Sequence, residues 1–150
     1  MKKNLILSSF LLLIISVSVA SEYRIGRDYG YLSRPLPVKE DGVVDVVEVF
    51  WYGCGHCFNL APVTARWAKQ QDDSVNYQKM PVTWGPTHQL HAKLFYTIEA
   101  LGIGETAHSA VFTAMHKEGN FLTSEGAILE FLEKLGTDRS ETIKYMNSFS

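Results

Sequence analysis

The stretch FWYGCGHC, residues 50–57, decides the fold, because a strand pattern passes directly into a helix pattern within it. Residues 43–50 are nearly all apolar and rich in β-branched side chains, which predicts a buried central strand. From Cys54 to Gln71 the pattern indicates a helix that Pro62 kinks. Both cysteines of the motif therefore fall in the first turn of a helix that directly follows a strand.

The two cysteines of the chain, Cys54 and Cys57, are separated by only two residues. A disulfide that closes so small a ring constrains the unfolded chain very little, so redox chemistry explains the pair better than structural cross-linking. The thiolate is the nucleophile of disulfide exchange, and the unpaired N–H groups and dipole of a first helical turn stabilise an anion. We predict that Cys54 is the exposed nucleophile that forms mixed disulfides and that Cys57 is the more buried partner that resolves them.

The histidine between the cysteines adds a hydrogen-bond donor and, when protonated, a positive charge near the sulfur of Cys54. His56 is therefore expected to favour the thiolate, which makes the disulfide a stronger oxidant. Two alternatives stay open, half of a zinc site and an inert structural disulfide, although the sequence has no second Cys-x-x-Cys. We predict no cofactor and no metal. The remaining histidines are interpreted as surface or helix-face residues: His88, His91, His108 and His116.

A single carboxylate lies in the strand that leads to the motif. Glu48 is six residues before Cys54. A lone buried carboxylate is costly, and its pKa is raised unless it is paired. One interpretation makes Glu48 a proton acceptor near Cys57, with Lys79 on the next strand as its partner. The other makes it a strand-end residue that points to water.

Composition and the first residues indicate an exported globular protein. The 150 residues are 46% hydrophobic and 20% charged, which suits one domain with a substantial core. The formal net charge is -2 and the charges are scattered, so no nucleic-acid partner is expected. Two lysines, an apolar run over residues 5–19 and small residues at 18–20 predict a secretory signal peptide over residues 1–20. The competing interpretation is an uncleaved membrane anchor.

The rest of the chain predicts one more strand and then helices. The polar, turn-rich residues 21–41 are interpreted as an extended lead-in with one edge strand, and alternation over residues 75–80 predicts a second strand. Apolar spacing and capping residues predict the helices that follow. These are expected over residues 91–101 and 105–117, after a cap at Thr123 or Ser124, and after Asp138, where the last helix has barely begun when the sequence ends.

The aromatic strand end, the C-G-H-C motif, the kinked helix and the helical segment after residues 75–80 together resemble the DsbA family of periplasmic disulfide oxidoreductases, over residues 22–150. The resemblance implies an α/β, thioredoxin-like fold with an inserted helical domain. It implies that the protein donates disulfides to reduced exported polypeptides in the periplasm and is reoxidised by a quinone-linked membrane protein of the DsbB type. It also assigns the site to Cys54, His56, Cys57, Glu48 and Lys79.

The sequence departs from this family at two points. Gly55 stands where family members most often have proline. The family fold also needs a cis-proline loop that faces the cysteines, two further strands and a last helix, which are missing up to Ser150. We therefore expect a truncated thioredoxin-like fold with one bare edge on the strand at 43–50, in which residues 21–87 are its N-terminal part and 88–150 an incomplete helical domain. The alternative functions are a non-catalytic remnant or binding module, and a metal-binding protein.

Overall fold

A computed structural model describes residues 22–37 and 42–148 of the chain; the predicted signal peptide lies outside the described residues. Residues 22–37 belong to one compact unit and residues 42–148 to a second. The first unit contains a turn in which the amide of Gly26 donates to the carbonyl of Tyr29 at 2.7 Å. Its described residues form a single isolated bridge rather than the expected edge strand.

Two parallel strands carry the site in the second unit. β1 spans Val44–Phe50 and β2 spans Val75–Pro81, so both predicted strands are present. Helix α1, Gly55–Ala68, makes the crossover that parallel strands need. The register aligns Glu48 with Lys79 across the ladder. Glu48 and Lys79 are therefore neighbours on adjacent strands.

The expectation that the first strand is buried is wrong for most of β1 in the described structure. Val47 and Val49 are 44% and 60% exposed, whereas Phe50 is 2% exposed. Successive side chains of a strand point to opposite faces, so both valines share the face opposite Phe50. Within residues 42–148 the sheet has two strands, β1 and β2, and that face remains open to solvent.

Four helices follow the strands. They are α2 (Pro86–Ala100), α3 (Gly104–His116), α4 (Glu125–Lys134) and α5 (Arg139–Ser148). Ser124 caps α4 by accepting the amide of Ala127 at 3.2 Å, and Asp138 accepts the amide of Glu141 at 2.9 Å. The predicted helices are present, and the last one, which was expected to have barely begun, has ten described residues.

The hydrophobic core joins these helices to the end of β1. Phe50 and Tyr52 pack edge-to-face at 5.2 Å, and Phe112 of α3 lies 5.2 Å from Tyr52. Fully buried side chains from α2 to α4 complete it: Leu94, Ile98, Val111, Ile128 and Leu132. The helices therefore hold the residues that lead into the cysteine motif.

None of the helices in the described ranges has the length and apolar character that crossing a membrane requires.

Candidate redox-active site

Cys54 is the N-cap residue of α1. Its backbone is extended (φ -86°, ψ 117°), and its Sγ accepts the backbone N–H of Cys57 at 3.4 Å. The amide of Cys54 donates to the carbonyl of Trp51 at 3.1 Å, which closes a turn between the end of β1 and the helix. A sulfur thus occupies the position where a side-chain oxygen usually accepts unpaired N–H groups at a helix start.

The two thiols have opposite electrostatic environments. The backbone N–H of Cys57 is the largest cause of a lowered pKa at Cys54, followed by the Cys57 side chain and, more weakly, the backbone of His56. Burial raises the pKa of Cys57, and the charges of Cys54 and Glu48 act in the same direction. Cys57 also packs against the hydrophobic core. Both thiols are reduced in this structure, and Cys54 is the one that ionises first.

His56 lies between the cysteines with its side chain exposed to solvent. Its backbone N–H is among the groups that lower the pKa of Cys54. The main chain of His56 thus contributes to the lowered pKa of Cys54. A role for its imidazole stays a prediction.

Glu48 lies in a half-buried ion pair. Its side chain is 10% exposed, and Lys79 Nζ lies 3.6 Å from its Oε2. The hydroxyl of Tyr77 donates to the same oxygen. The interpretation that Glu48 points to water is therefore wrong, and the structure brings Glu48 and Lys79 together. Glu48 is also close enough to Cys57 for its charge to raise the pKa of that thiol.

Tyr77 is a member of this cluster that the sequence reading missed. Burial raises its pKa to about 12, and the hydrogen bond to Glu48 acts in the same direction. It pairs with Val46 across the ladder, two residues before Lys79 on the same face of β2. Strand alternation could have identified it once the parallel register was known.

The expectation that the other histidines are surface or helix-face residues is wrong for His91. It is 2% exposed, and its Nδ1 accepts the indole N–H of Trp51 at 2.9 Å. The hydrogen is therefore on Nε2, which donates to the carbonyls of Phe121 and Leu122 at 3.1 and 3.3 Å. His91 is a neutral link between α2, the segment before α4 and the residue that follows β1.

Two histidines of α3 hold Tyr52, the buried residue two positions before Cys54. His116 Nε2 lies 2.7 Å from the Tyr52 carbonyl oxygen. His108 Nε2 lies 2.6 Å from Glu99 Oε1, and its Nδ1 lies 2.5 Å from the Tyr52 hydroxyl. Burial lowers the pKa of His108, so the neutral ring donates to Glu99 and accepts from Tyr52. Their spacing of eight residues puts both histidines on one helical face, but no sequence signal showed that Tyr52 was their partner.

A metal centre has no candidate in the described residues. Within residues 22–37 and 42–148, no group of three or more His, Cys, Asp or Glu side chains is placed to hold a metal ion. The groups that surround the Cys54–Cys57 pair are thus the N-terminus of α1, the turn before it and the carboxylate of Glu48.

Known proteins are similar to this chain over most of its length. No protein-family model matches the chain. The chain is 34% identical to the thiol:disulfide interchange protein DsbA of Pseudomonas aeruginosa, over 99% of this chain and 72% of that protein. It is 36% identical to the protein of the same name from Azotobacter vinelandii and 38% identical to that from Burkholderia cepacia, over 87% and 83% of this chain and 61% and 59% of those proteins.

Solved structures of such proteins resemble the fold closely. The crystal structure of Pseudomonas aeruginosa DsbA superposes with a TM-score of 0.79 at 35% identity, covering 87% of this chain and 68% of that one. A reduced DsbA of Neisseria meningitidis gives a TM-score of 0.72 at 25% identity, covering 85% and 68%. The likeness therefore includes both the strand–helix unit that carries the cysteines and the helices after it.

The strands, the cysteine pair at the start of α1 and the helices that follow define a thioredoxin-like disulfide oxidoreductase with a helical insertion. The sequence likeness identifies the family more narrowly. The chain belongs to the DsbA family of thiol:disulfide interchange proteins. The predictions of fold class, family and enzyme class are confirmed.

Proposed function

We propose that this chain introduces disulfides into reduced, exported polypeptides by thiol–disulfide exchange at Cys54 and Cys57. One observation supports this proposal above the others: Cys54 Sγ caps α1 and has a lowered pKa, whereas burial raises the pKa of Cys57. A pair with one stabilised and one destabilised thiolate suits a reaction in which each sulfur has a different task.

The exchange transfers two electrons from the substrate to the protein. In the oxidised form, a substrate thiolate attacks Cys54 Sγ, the Cys54–Cys57 bond breaks, and Cys57 leaves with the electron pair. Its raised pKa means that the leaving thiolate then takes up a proton. A second substrate thiolate attacks the substrate sulfur of the mixed disulfide, and Cys54 leaves as a thiolate. The substrate gains a disulfide and the protein becomes the dithiol.

The reaction is favoured in the oxidising direction because Cys54 is a good leaving group. A thiol with a lower pKa leaves faster, and a stabilised thiolate makes the reduced form of the protein more stable. The helix N-terminus supplies that stabilisation through the Cys57 N–H. We include the imidazole of His56 as a further source of positive charge when it is protonated.

Glu48 and Lys79 have a proposed role in proton transfer at Cys57. Reoxidation requires the Cys57 thiol to lose its proton before it can attack a mixed disulfide at Cys54. The Glu48 carboxylate is held by Lys79 and Tyr77, and its Oε1 is buried without a hydrogen-bond partner in the described part of the chain. An acceptor oxygen of this kind suits receipt of the Cys57 proton.

Partners and location follow from the family and from the first residues. We propose that a quinone-linked membrane protein of the DsbB type removes the two electrons from the dithiol form. The apolar run within residues 1–20 supports export to the periplasm through a cleaved signal peptide. An oxidising compartment would preserve the disulfide form that the reaction consumes.

Thiolate absorbance during a pH titration of the reduced, purified protein tests the proposal. We expect one thiol to ionise below the usual cysteine pKa of about 8.5. That transition should disappear in Cys54→Ser and persist in Cys57→Ser, the matched control. An ordinary titration in the wild type, together with no oxidation of a reduced, unfolded polypeptide, would favour a non-catalytic binding module instead.

A further inference from the structure

One side chain contacts both flanks of the cysteine motif. His116 is the last residue of α3, and its Nε2 lies 2.7 Å from the carbonyl oxygen of Tyr52, two residues before Cys54. Its ring also stacks on Phe58, the residue after Cys57, with centroids 4.8 Å apart and an angle of 11° between the planes. Because a carbonyl only accepts, Nε2 carries the hydrogen and donates it. His116 thus bridges the turn before the motif and the helix after it.

The turn that His116 holds also sets the direction of the Cys54 side chain. The amide of Cys54 donates to the Trp51 carbonyl at 3.1 Å, and Tyr52 lies inside that turn. Cys54 Sγ accepts the Cys57 N–H at 3.4 Å, so a small rotation of the turn would remove the contact. Because this N–H is the largest cause of the lowered Cys54 pKa, that property depends on the orientation of the turn.

The hydrogen bond to the carbonyl is separable from the packing of Tyr52. The Tyr52 ring stays held by Phe50 and Phe112, and its hydroxyl by His108. Removing the His116 donor therefore leaves the side chain anchored. It frees a backbone carbonyl that is buried with the residue and needs a partner, and that carbonyl can then turn toward another donor or toward water.

We propose that His116 is a positioning residue of the redox pair, which holds the Tyr52 carbonyl and the Phe58 ring so that Cys54 Sγ stays over the N-terminus of α1. This inference rests on the proposed function, because it concerns the thiolate on which the exchange depends. His116 acts through the turn and the helix and does not itself exchange electrons or protons with substrate.

Two substitutions separate the hydrogen bond from the ring contact. His116→Phe keeps an aromatic ring on Phe58 but removes the donor, whereas His116→Gln keeps a donor at a similar distance. His88→Phe is the matched control, because the His88 ring also contacts the turn, with its centroid 4.5 Å from that of Trp51, and the replacement keeps an aromatic ring there. The measurements are the pKa of Cys54, by thiolate absorbance, and the dithiol–disulfide equilibrium with glutathione.

We expect His116→Phe to raise the pKa of Cys54 by about one unit and to shift the equilibrium with glutathione about tenfold toward the protein disulfide. His116→Gln should recover most of both shifts, and His88→Phe should change neither. Should His116→Phe not fold, His116→Asn makes the same comparison, because its shorter amide does not reach the Tyr52 carbonyl.

Three results would contradict the positioning role of His116 or the proposed function on which it rests. An unchanged Cys54 pKa and glutathione equilibrium in folded His116→Phe, even with a lower unfolding midpoint, would overturn the positioning role and leave a purely structural one. Equal shifts in His116→Phe and His116→Gln would also overturn it, since the donor would then be irrelevant. An ordinary Cys54 pKa in the wild type would instead contradict the proposed function itself.

Discussion

The two ends of β1 differ in how they are held. At its start, Val44 is 59% exposed, and the strand is fixed mainly by its ladder to β2. At its end, Phe50 and Tyr52 are nearly completely buried against α2 and α3, and histidines bind the two residues that follow Phe50. The helices therefore do more than the two-stranded sheet to position the cysteine motif in the described structure.

Truncating Phe50, at the buried end of β1, should destabilise the protein most. Phe50→Ala should lower the free energy of unfolding by about 3–5 kcal/mol, because it leaves a cavity beside Tyr52 and Phe95. Val44→Ala, at the start of the strand, is the matched control and should cost less than about 1 kcal/mol, because its side chain is 59% exposed. Denaturant unfolding of both variants checks the difference. Equal losses would mean that the two ends are equally held.

Removing the Lys79 cation from the ion pair between the strands should destabilise the protein less. Lys79→Met removes the cation from Glu48, whose carboxylate is 10% exposed, and should cost about 2 kcal/mol. Lys93→Met removes the exposed ion pair with Glu125, at 3.4 Å, and should cost about 0.5 kcal/mol or less. Urea unfolding at neutral pH compares the two variants. If Lys79→Met is as mild as Lys93→Met, the Glu48 cluster contributes little to holding the strands.

The smallest expected effect is the pH dependence of the histidine contacts. Burial lowers the pKa of His91 in the folded state, so the unfolded chain binds protons more readily as the pH falls below about 6.5. The contribution of neutral His91 is thus complete above that pH and decreases as the pH falls toward the lowered folded pKa. The free energy of unfolding should therefore fall between pH 7 and pH 5.

His91→Gln provides the comparison for this pH effect. Glutamine offers an acceptor for the Trp51 indole and a donor for the Phe121 carbonyl, but it does not titrate. The free energy of unfolding of this variant should therefore fall less steeply between pH 7 and 5 than that of the wild type. Identical slopes would show that His91 is not the residue that titrates.

Local patterns predicted the elements well because they depend on neighbouring residues. A run of β-branched and apolar residues placed β1, alternation placed β2, and apolar spacing placed the helices. Ser124 and Asp138 begin α4 and α5 as capping residues do. The position of Cys54 at the start of α1 followed from the change of pattern within residues 50–57. These features could be predicted without knowing which helices and strands contact each other.

The contacts around the motif could not be predicted in this way. Tyr77 reaches Glu48 only because the parallel register brings the two residues together. The apolar composition of β1 predicted a buried strand, but one of its faces is open to solvent in the described chain. Helical spacing shows which face of α2 carries His91 and which face of α3 carries His116. It does not show that Trp51 and Tyr52 lie opposite them. Such pairs join residues that are far apart in the sequence, so they depend on how the helices pack against the end of β1.

The pH dependence of alkylation at each cysteine shows which of the two thiols ionises first. The reduced protein is treated briefly with an alkylating agent over a range of pH, and mass spectrometry of peptides measures the modification of Cys54 and Cys57 separately. We expect Cys54 to react first, with a midpoint below that of a free cysteine, and Cys57 to react only at higher pH. Equal midpoints near about 8.5, or Cys57 reacting before Cys54, would contradict it.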